Sequence, residues 1–211
     1  MDLYFREYRI MKTTRIPHRS MYYGTPVALV CTQNSDGSEN LTPMSSSWSL
    51  RDFVVLGLGC ASQAMENLRH RPRLTVNLPS ADMWESIERI AVFTGKNPVP
   101  DHKATHFSYC RDKFEAAGLT RLTSTEGGPS RVAECPIQIE AVVNTVTDVS
   151  DNPEGFSVII AKAVAMHAAV GILDETSGQI DPVKWDPLIF SYKTYHGVGS
   201  ELGRMARVIR S

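Results

Sequence analysis

An apolar run at residues 27–30 leads into Asn34-Ser35-Asp36-Gly37, and beyond that turn the side chains become small and hydroxyl-bearing. The pattern predicts a hairpin, with one strand over residues 27–32 and its partner over residues 41–49. The partner is unusual. A half-buried strand alternates apolar with polar residues, yet Asn40-Leu41-Thr42-Pro43-Met44-Ser45-Ser46-Ser47-Trp48-Ser49 is dominated by uncharged hydrogen-bonding groups with one large aromatic. That composition suits a surface holding something polar, flat and bulky, which a folding core does not require. The plainer reading is a loop or a solvated strand edge.

The pattern continues with short elements. Residues 53–58 read as a strand apolar enough to be buried on both faces. Ser62 stands at a helix N-cap, and the helix over 63–70 stops before Pro72. A strand over 74–78 follows, then a capping box of Asp82 and Glu85 opening a helix that runs to about residue 93. Residues 94–131 are less regular, with a short helix at 111–117 ended by Gly118 and a loop at Gly127-Gly128-Pro129. Two long strands are expected over 137–146, with Ile137, Ile139, Ala141 and Val143 on one face, and over 156–166, joined by a turn at 151–155. A last extended segment covers 185–195, and a short basic helix carries Arg204 and Arg207. Short strands, hairpin turns and few helices predict a mainly β barrel or sandwich with α insertions. Strands and helices do not alternate as a doubly wound parallel sheet requires.

Composition narrows the partners. The chain has 211 residues and a net charge of −1, so no global field favours nucleic acid or a membrane surface. No apolar run approaches the ~20 residues of a membrane-crossing helix. Residues 1–20 carry Arg6, Arg9, Lys12, Arg15 and Arg19 without an apolar h-region, and Asp2 and Glu7 weigh against a transit peptide. Cys31, Cys60, Cys110 and Cys135 lie far apart and form no CxxC pair, which points to reduced thiols in a cytoplasmic protein.

Ser62 opens a helix directly after a strand, where unpaired N–H groups suit a phosphate, although serine is a favoured cap in any protein. The glycines at 197, 199 and 203 have the wrong spacing and too little chain after them for a dinucleotide loop. His102 and His106 lack a third metal ligand, and no metal site is expected. His167 reads as a hydrogen-bonded core histidine. Tyr195 and His196 suit either a pocket wall or a surface turn. No Gly-x-Ser-x-Gly elbow or Cys/His dyad supports hydrolysis, and no catalytic residue is assigned.

These residues carry a resemblance. Gly24-Thr25-Pro26-Val27-Ala28-Leu29-Val30, the Asp36-Gly37 turn, residues 40–48, Ser62 to Leu68, Val76-Asn77-Leu78-Pro79-Ser80, Thr94-Gly95, residues 112–120, residues 134–140 and Pro187-Leu188-Ile189 resemble, in order, the flavin reductase-like family of FMN-binding, flavoredoxin-like split-barrel proteins. The resemblance implies a six-stranded Greek-key split barrel, one domain over 1–211 with its core at about 20–195 and extensions at both ends. It implies a homodimer with FMN near the subunit interface and NAD(P)H as co-substrate. By that match Asn40, Thr42, Ser45, Ser46 and Ser47 hydrogen-bond the isoalloxazine or ribityl oxygens and Trp48 packs nearby. Met44 and Asn67 complete the cofactor set. The Ser-x-Thr of the family's helix start is Ser62-Gln63-Ala64 here, so one phosphate contact is missing and Lys113 is the candidate cation in its place. The family's Asp-His pair before the second half of the barrel is Phe156-Ser157. The expected function is an NAD(P)H:flavin reductase passing a hydride to FMN. The alternative is an FMN-binding electron carrier reduced by a protein partner.

Overall fold

Residues 10–17, 21–149, 152 and 155–203 are described by a computed structural model, so Arg204 and Arg207 and most of the 151–155 turn lie outside the described residues. In chain order the strands and helices are β1 (Tyr23–Pro26), β2 (Ala28–Gln33), β3 (Glu39–Met44), β4 (Ser47–Leu50), β5 (Phe53–Gly59), α1 (Gln63–His70), β6 (Arg73–Leu78), α2 (Trp84–Ala91), β7 (Phe93–Thr94), β8 (Ser108–Tyr109), α3 (Lys113–Ala117), β9 (Arg121–Leu122), β10 (Arg131–Val132), β11 (Ile137–Asp148), β12 (Phe156–Ala168), β13 (Ile189–Ser191) and β14 (Thr194–His196).

The main sheet runs β3-β2-β6-β11-β12-β5-β4, and its two edge strands are consecutive in the chain. The stretch expected as one strand over 41–49 is therefore two. β3 pairs with β2 as far as Ala28↔Met44, and β4 pairs with β5 from Ser47↔Leu56. Only Ser45 and Ser46 separate them, so the sheet must curl until its edges meet at this corner. With β3 and β4 taken as one bent strand, it is a six-stranded Greek-key split barrel, mainly β with α insertions.

The curl makes two cores. Ala28, Val30, Leu56, Leu74, Val76, Ile159 and Ala161 fill the barrel, with Ala64, Met65 and Leu68 of α1 packed among them. Leu29, Cys31 and Leu41 point the other way, against Ile87 and Ile90 of α2 and Phe114 and Ala117 of α3. The strand buried on both faces is thus β2, with Ala28 to Thr32 all buried, and not β5, whose residues alternate. Each large side chain in these cores contributes about 1.5–3 kcal/mol of transfer free energy.

Local signals set several ends. Ser62 Oγ accepts the Met65 N–H at 3.2 Å and starts α1 where expected. Asp112 caps α3, and Gly118, at φ 69°, closes it in the left-handed conformation. The Asp82–Glu85 capping box does not form. Asp82 sits in a 3-10 turn, accepts from the Ser80 hydroxyl, and α2 starts at Trp84 without a side-chain cap. Residues 185–195 are not one extended segment either. β13 and β14 form a hairpin whose turn puts Tyr192 and Lys193 at φ 44° and 69°, and β1 adds to β13.

Candidate functional site

Ser45 and Ser46 fall between two ladders, so no regular strand partner exists for either. One backbone bond holds the corner, from the Gly57 N–H to the Ser46 carbonyl at 2.8 Å. A Cβ on residue 57 would lie 3.3 Å from Ser46 Cβ, a tight contact that glycine avoids. Beside the corner lies a groove of about 330 Å³. Thr42, Met44, Ser45 and Ser46 form one wall, Gly57 to Gly59 with Ser62 a second, and Tyr22, Phe190 and Tyr195 a third, with Ile87 and Ala91 behind.

The aromatic wall is continuous. Tyr22 meets Phe190 edge-on with centroids 5.5 Å apart, and Phe190 meets Tyr195 at 5.4 Å. Such pairs add about 0.5–1.5 kcal/mol each beyond area burial. Tyr22 Oη and Ser46 Oγ share a hydrogen bond of 3.2 Å. Tyr195 Oη donates to Glu88 at 2.9 Å. Burial pushes the Tyr195 hydroxyl up to about 12, and the Glu88 carboxylate adds to the rise.

Five of the expected cofactor residues therefore share one groove: Thr42, Met44, Ser45, Ser46 and Ser62. Asn40 is one step removed. It is buried, its Nδ2 donates to Thr42 Oγ1 at 2.9 Å, and its Oδ1 has no partner. Any side chain at Gly95 would overlap that oxygen. Ser47 is half-buried on β4, and Trp48 is 59% exposed opposite Val55. Asn67 is buried and satisfied: its Nδ2 donates to Thr32 Oγ1 at 3.0 Å and Asn34 Oδ1 at 2.8 Å, and its Oδ1 accepts from Gln63 at 2.9 Å. That geometry pins α1 to the first hairpin. None of these four residues lines the groove.

Lys113 also lies off the groove, in α3, and is 4% exposed. Burial lowers its pKa to about 8, the nearby Cys110 opposes the shift, and Lys103 adds to it. Lys103 is itself lowered by burial and then by Lys96, and Lys96 pairs with Glu66 of α1. The three ammonium groups form a chain, Lys113 to Lys103 to Lys96, and of these Lys96 contacts α1. Ala64, where the family has a threonine, is buried in the barrel core.

Ser157 is fully buried: its Oγ donates to Asp148 at 2.6 Å and lies 3.4 Å from Cys60 Sγ. Asp148 is bound in turn by Arg69 at 2.7 Å. His167 is half-buried and contacts Glu140 at 2.9 Å. Among the described residues no cluster of three or more His, Cys, Asp or Glu could hold a metal ion, and no helix is long and apolar enough to cross a membrane.

Tyr22 and Phe190 carried no sequence signal, because they lie 168 positions apart in the chain and meet only through the pairing of β1 with β13. Tyr195 was visible only as an aromatic among glycines.

Comparison with known proteins agrees with this arrangement. Residues 19–199 match the family described as flavin reductase like domain. An uncharacterized Bacillus subtilis (strain 168) protein, YdfE, is 41% identical over 209 residues, covering 98% of this chain and 99% of the relative. Two solved structures share the fold. The flavoredoxin of Desulfovibrio vulgaris (Miyazaki F) superposes with a TM-score of 0.76 at 21% identity, covering 93% of this chain and 98% of that one. Nitrilotriacetate monooxygenase component B from Bacillus cereus gives 0.73 at 16% identity, covering 93% and 100%.

Proposed function

The chain belongs to the flavin reductase-like domain family, and from that premise we propose that it is an FMN-dependent oxidoreductase, a NAD(P)H:flavin reductase in which a hydride passes to FMN. The observation that carries the proposal is the corner at Ser45–Ser46, left free by both ladders and facing a groove with an aromatic wall. The residues present fit a flat polar ring. Hydroxyls line one side, aromatics another, and Gly57 keeps the corner narrow.

When bound, FMN supplies hydride acceptance and donation at its ring. The chain supplies position. Thr42, Ser45 and Ser46 offer hydroxyls and corner N–H groups to the polar edge of the ring, in the manner of oxyanion donors. The Asn40 bond orients the Thr42 hydroxyl, and the Tyr22 bond orients that of Ser46. Phe190 and Tyr195 shield the groove from water. Tyr195 stays protonated at neutral pH, so its hydroxyl is a fixed donor to Glu88 and not a proton shuttle. Ser62 at the start of α1 would hold the phosphate, with Lys113 of α3 as the candidate cation, and Met44 would line the ring's side of the groove. Asn40, Ser47, Trp48 and Asn67 support the site from its surroundings.

The same reading includes a homodimer, supported by large apolar side chains exposed on β4 and β12: Trp48, Leu50, Val164 and Met166. The reading also takes the chain as one domain over 1–211 with its core at about 20–195, supported by the family match over residues 19–199. A cytoplasmic location is supported by four cysteines that form no disulfide.

A second reading, an electron carrier reduced by a protein partner, is favoured by Ser157, which is committed to Asp148 and Cys60 and offers nothing to a nicotinamide. One experiment separates the two. The visible spectrum of the FMN-loaded protein is recorded before and after anaerobic addition of NADH or NADPH. Bleaching with stoichiometric nucleotide oxidation supports the reductase. A yellow protein that neither nucleotide bleaches supports the carrier. Protein that fails to take up FMN overturns both.

A further inference from the structure

Tyr195 is a shared wall. On its far side lies a second cavity of about 400 Å³, within the range of about 300–1,000 Å³ that small-molecule sites occupy. Trp84, Lys193, Thr194, His196 and Gly197 line it with Tyr195. Trp84 stands at the start of α2, 45% exposed, its ring tilted 38° to Tyr195 with centroids 6.3 Å apart. An indole paired at a tilt with Tyr195 and left half-open at a cavity wall offers a stacking platform.

The cations are placed by an uncommon turn. Two-residue hairpin turns with φ > 0 at both central positions usually take Asn-Gly or Gly-Gly, because residues with a Cβ are strained there. Here the two positions are Tyr192 and Lys193, at φ 44° and 69°. Lys193 is thereby held at the cavity, with His196 three residues on. The nearby carboxylates are engaged and do not line the cavity: Glu88 accepts from Tyr195 Oη, and Asp186 accepts the Val198 N–H at 2.7 Å behind Gly197. A half-open indole, a hydroxyl at Thr194, the Lys193 ammonium and the His196 imidazole form a recognition set for a purine ring carrying a phosphate.

We propose that this cavity takes the adenosine-phosphate half of a dinucleotide whose other half reaches the groove at Ser45–Ser46. The proposal rests on that groove being the flavin site. Adenosine phosphate occurs in both FAD and NAD(P)H, and the cavity reads the part that they share. FMN has no such half and, apart from the shared wall of Tyr195, uses none of these residues.

The test uses Trp84→Ala and Lys193→Glu in the full chain. Binding of FMN and FAD is titrated by flavin fluorescence, and NADH and NADPH are titrated into the FMN-loaded protein. FMN affinity is expected to stay within about twofold of the parent. At least one adenosine-bearing ligand is expected to weaken by about fivefold or more, the scale of losing one stacked base. AMP should compete with that ligand. Loss confined to FAD makes the flavin the source, and loss confined to NADH or NADPH makes it the nicotinamide nucleotide. FMN binding as before, with every adenosine-bearing ligand unchanged in both variants, overturns the proposal. Failure of the parent protein to bind FMN is a different result, which removes the flavin site and this inference with it. Lys193 lies on an exposed turn, so Lys193→Glu carries the test should Trp84→Ala fail to fold.

Discussion

Gly57 and Ser46 meet across the corner of the sheet, joined by a 2.8 Å bond from the Gly57 N–H to the Ser46 carbonyl, and a Cβ on residue 57 would crowd Ser46 Cβ at 3.3 Å. Gly57→Val would push the corner outward and narrow the groove mouth. We expect FMN affinity to fall by about tenfold or more, equal to about 1.4 kcal/mol, with a smaller loss of stability because valine favours strands. Fluorescence titration and thermal unfolding on the same sample measure both, and a loss of stability without a loss of affinity would count against the corner as the ring site.

Ser46→Asp places a charge at the same corner without adding much volume. FMN affinity should drop by about tenfold or more while the melting temperature stays within a few degrees. Unchanged affinity would mean that this corner does not face the flavin.

Asn67 makes three side-chain hydrogen bonds that tie α1 to Thr32 and Asn34. Asn67→Ala leaves a buried Thr32 hydroxyl without its donor, at a cost of about 2–3 kcal/mol. Urea denaturation should show that loss, and the folded fraction should bind FMN as the parent does. A variant that keeps its stability but loses FMN would place Asn67 in the site.

Lys113 titrates lower in the folded chain, at about 8, than in the unfolded one, because burial disfavours its charge. Between these two values the unfolded chain binds more protons, so the stability of the flavin-free protein should rise with pH from about 8 to 10. Lys113→Met removes that rise and raises stability at pH 7 by on the order of 3 kcal/mol. It should also weaken FMN more than riboflavin, which lacks the phosphate. Equal weakening of both flavins would show that Lys113 does not serve the phosphate.

Glu140, on β11, works away from the groove. Burial pushes its carboxyl up, but donors from Ser124, Thr125 and Glu126 outweigh this and bring it to about 2. Arg131 lies 3.5 Å away and His167 2.9 Å. A carboxylate lowered on folding stabilises the protein above its unfolded pKa, and that contribution fades as pH falls from about 5 toward 2. Glu140→Gln should lower the melting temperature at pH 7 and flatten the acid limb of the stability curve. An acid limb identical to the parent's would remove Glu140 from this role.

Much of the fold was legible because its signals are local. Ser62 and Pro72 bracket α1, Gly118 ends α3, and the Asn34–Gly37 turn sets the first hairpin. Each depends on hydrogen bonds or backbone angles within a few residues. Where a competing contact intervened, the local reading failed: Asp82 accepts from the Ser80 hydroxyl and caps nothing. The burial of β2 on both faces was missed for a different reason, since α2 and α3, distant in sequence, supply its second face.

The hydroxyl-rich stretch at 40–49 shows the same division. Its composition alone marked it as something other than core, because serine and threonine side chains gain little from burial and offer many hydrogen bonds. Side-chain chemistry is written residue by residue. The bend that splits this stretch at Ser45–Ser46, and the Tyr22, Phe190 and Tyr195 wall that faces it, came only from the tertiary structure. Sheet closure decides which backbone donors are left unpaired and which distant rings meet, and closure depends on the pairing of all the strands at once.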